Sequence, residues 1–254
     1  MITCTNISKK FRWYERSDSL KTSFVKFFDK SKKIWEWYVL NDINLKINEG
    51  EKAGLIGKNG CGKSTLLRLI TGIYTPTSGK IINNSKRMLA LIELGVGFYK
   101  DLTGKENIKL NWVFNGLPKS ELKNKFDEIV EFSGVGDFLN TPLKYYSSGM
   151  VSRLGFSVAI HANPDLLIVD EVLVVGDTEF QKKCFDRIEE VCKSGTTLIL
   201  VSHNLSDITK VCERAIWLNE GSIQFDGKSS DAVKSYLNSL NQSELIEYKM
   251  ENYA

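Results

Sequence analysis

Residues 54–65 read GLIGKNGCGKST, and Gly57-Lys58-Asn59-Gly60-Cys61-Gly62-Lys63-Ser64 within them follows the spacing G-x-x-x-x-G-K-S. An apolar run precedes the glycines and KSTLLRLITGIY follows them, so the pattern predicts a strand, a loop and a helix in that order. Glycines allow backbone N–H groups to turn inward around a phosphate without Cβ clashes. The helix N-terminus adds partial positive charge, Lys63 offers a point charge for the β- and γ-oxygens, and the Ser64 hydroxyl can ligate Mg²⁺. Gly57 through Thr65 are therefore candidates for holding nucleotide phosphates. A chance glycine turn would lack the flanking strand and helix.

Working outward, apolar strand-like runs alternate with amphipathic stretches. MITCTNISKKF reads as a first strand, VLNDINLKINEGEKAGLIG as two more, and KIIN and RMLALIEL as strands after the turn TPTSG. From Thr103 to about Asn163 the period becomes helical, with PKSELKNKFDEIVEFSGV starting after Pro118 and ending near Gly134. DLLIVDE and TTLILVSHN then return as buried strands, separated by the helix FQKKCFDRIEEVCKSG. Strands alternating with helices predict a parallel sheet covered on both faces, and the helical stretch is a candidate subdomain.

Composition excludes several classes. With 254 residues and 42% hydrophobic content the chain can bury one sizeable core. A net charge of +3 is too weak to argue for a nucleic-acid partner. Five scattered cysteines with no C-x-x-C spacing suggest a reduced compartment and no metal cluster. No run approaches the ~20 apolar residues that span a bilayer.

LLIVDEV places Asp170 and Glu171 at the end of an apolar strand. Beside a phosphate loop, Asp170 would hold Mg²⁺ through water and Glu171 would polarise the attacking water. His203, at the end of LILVSHN, could hydrogen-bond the γ-phosphate; a satisfied strand-end histidine is the bland alternative. KYYSSGMVSRLGFSVAI, residues 144–160, opens a helix on two serines and a glycine with no base nearby, so nucleophilic chemistry is not its purpose. Arg153 and Arg68 read as solvated helix charges.

The phosphate loop, the YSSGM helix start, the D-E strand and the S-H strand occur in the order seen in ATP-binding cassette (ABC) ATPases, which the chain resembles over about residues 1–240. The resemblance implies a P-loop NTPase core with a parallel sheet, an antiparallel β subdomain and an inserted α-helical subdomain (about 103–163). Tyr146-Ser147-Ser148-Gly149-Met150 stands where that family has a signature loop, most often L-S-G-G-Q. Ser147, Ser148 and Gly149 are then implied to grip the γ-phosphate of ATP held by a second copy, with Asp177 of the following D-loop coupling the two sites. An N-capping serine without a ligand is the alternative.

LIELGVGFYKDLTGKENI, DEVLVVGDTEFQKKC and VSHNL are similar to the polysaccharide-export branch of the family: O-antigen, capsule and teichoic-acid exporters. The resemblance implies a homodimer of ATPase subunits, peripheral on the cytoplasmic face of the cell membrane. That dimer would dock on two copies of a separate integral membrane subunit and use ATP and Mg²⁺ to move a lipid-linked polysaccharide, O-antigen foremost. A soluble, non-transport ABC ATPase is the rival reading. The family's Q-loop glutamine is missing between Leu89 and Leu102, leaving Glu93 as the nearest polar residue. Residues 13–38 are an insertion with Leu20, Phe24, Phe27 and Phe28 on one helical face and five lysines between Leu20 and Tyr38, expected to form an amphipathic helix at the membrane surface; a helix packed on its own sheet, with the aromatics as ordinary core, is the alternative. Phe11 or Tyr14 is expected to stack on adenine, with Trp35 and Trp37 as outside candidates. Residues 241–254 read as a short polar tail with no carbohydrate-binding domain.

Overall fold

The computed structural model describes residues 1–14, 34–91, 97–170, 176–202, 204–242 and 245. Two sheets organise them. A three-stranded antiparallel sheet, order β2-β1-β4, contains β1 (Ile2–Tyr14), β2 (Ile34–Ile47) and β4 (Ser78–Asn83). A six-stranded sheet has the order β5-β6-β7-β3-β8-β9. Its strands are β3 (Lys52–Ile56), β5 (Met88–Leu91), β6 (Leu166–Asp170), β7 (Thr197–Val201), β8 (Arg214–Asn219) and β9 (Ser222–Lys228). All neighbours in it are parallel except β9, which returns antiparallel on β8.

The unbroken apolar run of β6 follows from burial on both faces. Leu166 and Ile168 enter the core shared with the antiparallel sheet, beside Ile2, Ile43 and Leu66. Leu167 and Val169 enter a second core on the opposite face, with Trp112, Ile129 and Phe156. Strand alternation sends successive side chains to opposite faces, so every β6 residue is buried. The helices are α1 (Lys63–Ile70), α2 (Gly104–Phe114), α3 (Lys119–Ser133), α4 (Ser148–Ile160), α5 (Thr178–Lys193), α6 (Leu205–Val211) and α7 (Ser229–Ser239). Helices α2 to α4 form the stretch the sequence marks as helical. Thr103 caps α2 in a reciprocal box with Glu106, which satisfies two N-terminal donors at once.

Two expectations change. Residues 13–14 and 34–38, assigned by the pattern to an amphipathic helix, extend the β1–β2 ribbon, with Trp13 opposite Trp35 and Phe11 opposite Trp37. Aromatic cross-strand pairs favour a ribbon over a helix here. The rest of that segment, with Leu20, Phe24, Phe27 and Phe28, lies outside the described residues. The β8–β9 hairpin is the second difference, since the strand reading stopped at TTLILVSHN.

Candidate nucleotide site and signature helix

Register across the central strands builds the site. Leu55 of β3 pairs with Val201 of β7, and Val201 pairs with Asp170 of β6. The three residues therefore lie in one row at the carboxyl edge of the sheet. Adjacent strands are spaced ~4.8 Å, so the Asp170 backbone sits about 10 Å from the strand that feeds the glycine loop. Open parallel sheets bind ligands in the crevice outside this edge.

The loop itself leaves β3 at Gly57 and enters α1 at Gly62. Gly57 has φ 147°, and a Cβ there would fall 2.1 Å from the Leu218 carbonyl oxygen, so the loop packs against β8 only as glycine. No side chain caps α1. The Lys63 N–H donates to the Cys61 sulfur, and the first-turn N–H groups of Ser64 and Thr65 have no i−4 partner within the helix. Lys63 is 7% exposed, and its Nζ donates to the carbonyls of Gly57 (2.8 Å) and Lys58 (3.1 Å), which holds the ammonium across the loop mouth. Burial pushes the Cys61 thiol above its usual range, so it stays protonated and packs as a small apolar group. Asp170 is 8% exposed, and its carboxylate and the Ser64 hydroxyl are hard oxygens of the kind Mg²⁺ takes. Glu171, His203 and Glu93 lie outside the described residues.

A cleft of about 460 Å³ opens beside the loop, between the β1–β2 ribbon, α1 and the β8–β9 turn. Gly60 and Thr65 line its phosphate end, and Phe11, Trp37, Tyr38 and Tyr74 make its walls aromatic. Phe11 is already engaged edge-on by Tyr74 at 5.6 Å, with the Lys9 ammonium 5.1 Å from its ring. Trp37 is 66% exposed and presents the free aromatic surface. Tyr14 lies in β1 beyond the cleft-lining residues, and its side chain is outside the description. Arg68, expected to be a solvated charge, lines the cleft and lies over Tyr74 at 5.7 Å. Tyr38, Tyr74 and Glu220 were missed because no motif marks them; the aromatic in ITGIYTP, at the end of the loop's helix, was the available signal for Tyr74.

The second functional element is the start of α4. Ser147 is its N-cap, and its Oγ accepts from the Met150 N–H at 3.2 Å. Ser147 and Ser148 are exposed, whereas Tyr146 is buried and anchors the turn by donating its hydroxyl to the Phe138 carbonyl at 2.7 Å. The capping reading thus describes Ser147 within one chain. The N–H groups of Ser148 and Gly149 still precede any i−4 partner. A Cβ on Gly149 would meet nothing nearer than Ser147 Oγ at 3.8 Å, so the fold of this chain does not require glycine there.

Arg153 is not a solvated charge either. Its Nη2 donates to Asp177 Oδ2 at 2.6 Å, and its guanidinium lies 5.0 Å from the Phe180 ring. Asp177 caps α5 by accepting from the Phe180 N–H at 2.9 Å. That N–H bond, then the Arg153 charge, hold the Asp177 carboxyl below the usual carboxylate range. Arg153 therefore ties the signature helix to the start of α5. Arginine at this spacing carries no sequence signal of its partner.

A strand–glycine loop–helix unit on a parallel sheet, with a buried carboxylate in the same edge row, defines a P-loop nucleoside-triphosphatase fold. The family model described as ABC transporter matches residues 40–174, more than half of the chain, and the protein belongs to that family. It is 40% identical to the teichoic acids export ATP-binding protein TagH of Listeria monocytogenes, over 92% of this chain and 69% of that protein. It is 42% identical to the O-antigen export system ATP-binding protein RfbB of Klebsiella pneumoniae, over 79% of this chain and 81% of that one. Among solved structures, an ATP-binding subunit of an ABC transporter superposes with a TM-score of 0.74 at 22% identity, covering 98% of both chains. A bacterial ABC transporter cassette solved as a dimer superposes with a TM-score of 0.70, covering 90% of this chain and 99% of that one. Among the described residues no helix is long and apolar enough to cross a membrane.

Proposed function

We propose that this chain is the ATP-hydrolysing subunit of an exporter that moves a lipid-linked glycopolymer, of the O-antigen or teichoic-acid class, across the cell membrane. The supporting observation is the Gly57–Thr65 loop with Asp170 on the same sheet edge, in a chain 40% identical over 92% of its length to an export ATP-binding protein. Lys63 and the α1 N–H groups bind the β- and γ-phosphate oxygens, and the aromatic cleft takes the adenine. Ser64 and Asp170 would hold Mg²⁺, which supplies charge neutralisation at those phosphates. Glu171 accepts a proton from the attacking water, and His203 orients the γ-phosphate. Water oxygen joins the γ-phosphorus as the bond to the ADP oxygen breaks.

A second copy of the chain completes each site in this reading. Ser147 and the N–H groups of Ser148 and Gly149 from one copy meet the γ-phosphate held by the other, and Asp177 stands between the two sites. ATP binding closes the pair and hydrolysis reopens it, driving two copies of a separate membrane subunit. The subunit is then peripheral on the cytoplasmic face. The insertion at residues 13–38 is assigned to the membrane surface in this reading, supported at its described ends by Trp13 and Trp35, 63% and 59% exposed and paired across the ribbon beyond the cleft-lining Trp37.

The test is complementation of a strain lacking the chain. Wild type restores surface polymer, while Lys63→Ala and Glu171→Gln leave polymer inside the cell. Glu171→Gln also binds ATP and dimerises in solution without turnover. Normal surface polymer in the absence of the chain refutes the export reading, and a monomeric Glu171→Gln protein at saturating MgATP refutes the composite site.

A further inference from the structure

Three rings, one from each helix, pack α3, α4 and α5 together. Phe132 stacks on Phe156 at 6.0 Å, and Phe180 meets them edge-on at 5.7 and 6.3 Å. Apolar burial is non-directional. The cluster therefore brings the helices into contact without aiming the polar groups at their starts, Ser147 as cap of α4 and Asp177 as cap of α5.

Arg153 supplies the directed contact. It leaves the second turn of α4, about 9 Å of helix beyond Ser147 at 1.5 Å per residue. Its guanidinium lies 5.0 Å from the Phe180 ring and donates from Nη2 to Asp177 Oδ2 at 2.6 Å. Asp177 Oδ1 accepts from the Phe180 N–H at 2.9 Å, so each carboxylate oxygen is held from a different helix. The backbone leaves room for this side chain and little more. A Cβ on Gly176 would stand 2.9 Å from Arg153 Nε, and one on Gly134 would meet Nη1 at 3.9 Å. The Arg153 and Asp177 side chains are 29% and 64% exposed. An ion pair this open to water adds little to stability. What it adds is direction: the Asp177 carboxylate is fixed relative to the helix whose first turn carries Ser147, Ser148 and Gly149.

We propose that Arg153 is a positioning residue for the ATP site shared between two copies: by tying Asp177 to the signature helix, it presents Ser147, Ser148, Gly149 and Asp177 to the second copy as one preset surface. The proposal rests on the composite-site reading and adds to it a residue outside the nucleotide cleft. Groups held in place before association need no ordering when the copies meet, which lowers the cost of closing the pair. Binding of ATP to one chain alone, at the phosphate loop and aromatic cleft, does not draw on Arg153.

The test uses the full-length chain. Arg153→Met keeps an unbranched stem over Phe180 and removes the donor, while the three-ring cluster still packs the helices. In the Glu171→Gln background, sedimentation velocity at saturating MgATP reads the dimer; steady-state turnover is read without that substitution. Arg153→Met should weaken the dimer about tenfold and lower kcat by a similar factor. Its Tm should stay within about 3 °C of wild type. ATP affinity at chain concentrations too low for dimers should be unchanged. Arg153→Lys should recover most of both losses, because one nitrogen makes the bond and an ammonium can supply it. Wild-type dimerisation and kcat in Arg153→Met overturn the proposal and leave the composite site standing. Arg153→Lys no better than Arg153→Met also overturns it. So does weakened ATP binding by the single chain, which would assign Arg153 to the fold. A Glu171→Gln parent that stays monomeric removes the composite site and the strut with it.

Discussion

Replacing Gly149 by alanine separates what the chain needs for itself from what it offers to a second copy. Gly149 occupies the first turn of α4, its φ lies outside the left-handed region, and a Cβ would stand 3.8 Å from its nearest neighbour, Ser147 Oγ. Nothing in the isolated chain resists the methyl group. Alanine also loses less backbone entropy on folding, a gain of about 0.5–1 kcal/mol within a helix. At this chain length about 1 kcal/mol raises Tm by roughly 2–4 °C, so Gly149→Ala should melt about 1–4 °C above wild type in circular dichroism. Steady-state ATPase should move the other way. The methyl group occupies the space through which a γ-phosphate would approach the Ser148 and Gly149 N–H groups. Losing donors to a transition-state anion costs on the order of 10²-fold in kcat. MgATP binding to the monomer, followed by equilibrium dialysis, should be unchanged. Wild-type turnover in a variant of raised Tm refutes the reasoning, because the bare Gly149 surface would then face no phosphate. A lowered Tm refutes it too, because the glycine would be serving the fold.

Three other perturbations test separate parts. Arg153→Ala and Asp177→Asn should each lower Tm, with the double variant no lower than Arg153→Ala alone, because the 2.6 Å pair is a shared interaction; additive losses in the double-mutant cycle would mean the pair is incidental. Stability should also depend on His161, whose pKa is lowered from the usual 6.5 chiefly by burial and further by the Arg187 and Lys125 charges, against the opposing pull of the Ser157 carbonyl and Glu128. Above about pH 6.5 neither folded nor unfolded chain protonates this ring; below it the unfolded chain takes a proton the folded one refuses, so urea midpoints fall until the folded pKa is reached. His161→Gln should flatten that dependence, and an unchanged slope would assign it elsewhere. Trp37→Phe should remove most of the tryptophan fluorescence change on adding ATP, while Trp13→Phe leaves it intact; the reverse ranking would take Trp37 out of the nucleotide cleft.

How much of this was legible beforehand depended on whether a residue's partner is near it in sequence. Helix α3 could be bounded from the letters alone, since Pro118 cannot continue a helix backwards and Gly134 takes the left-handed conformation that ends it. The glycine loop and the D-E strand were legible for the same reason: backbone geometry and charge are both written within a dozen residues. The β8–β9 hairpin was legible in principle, because RAIWLNEGSIQFDGK alternates around an Asn-Glu-Gly turn, and Glu220 indeed adopts φ 46°. Arg153 was not, since its partner lies twenty-four positions away and only packing of α4 on α5 brings Asp177 to it. The same holds for the cleft, whose walls come from β1, β2, α1 and the β8–β9 turn. Phe11 could be guessed from its strand, but the choice between Phe11 and Trp37 needs the register that sets them opposite each other and the Tyr74 edge that engages one of them. Chemistry held by local backbone is readable from one segment. Chemistry assembled across elements requires the fold, and in this chain that includes both the base end of the nucleotide cleft and the strut behind the signature helix.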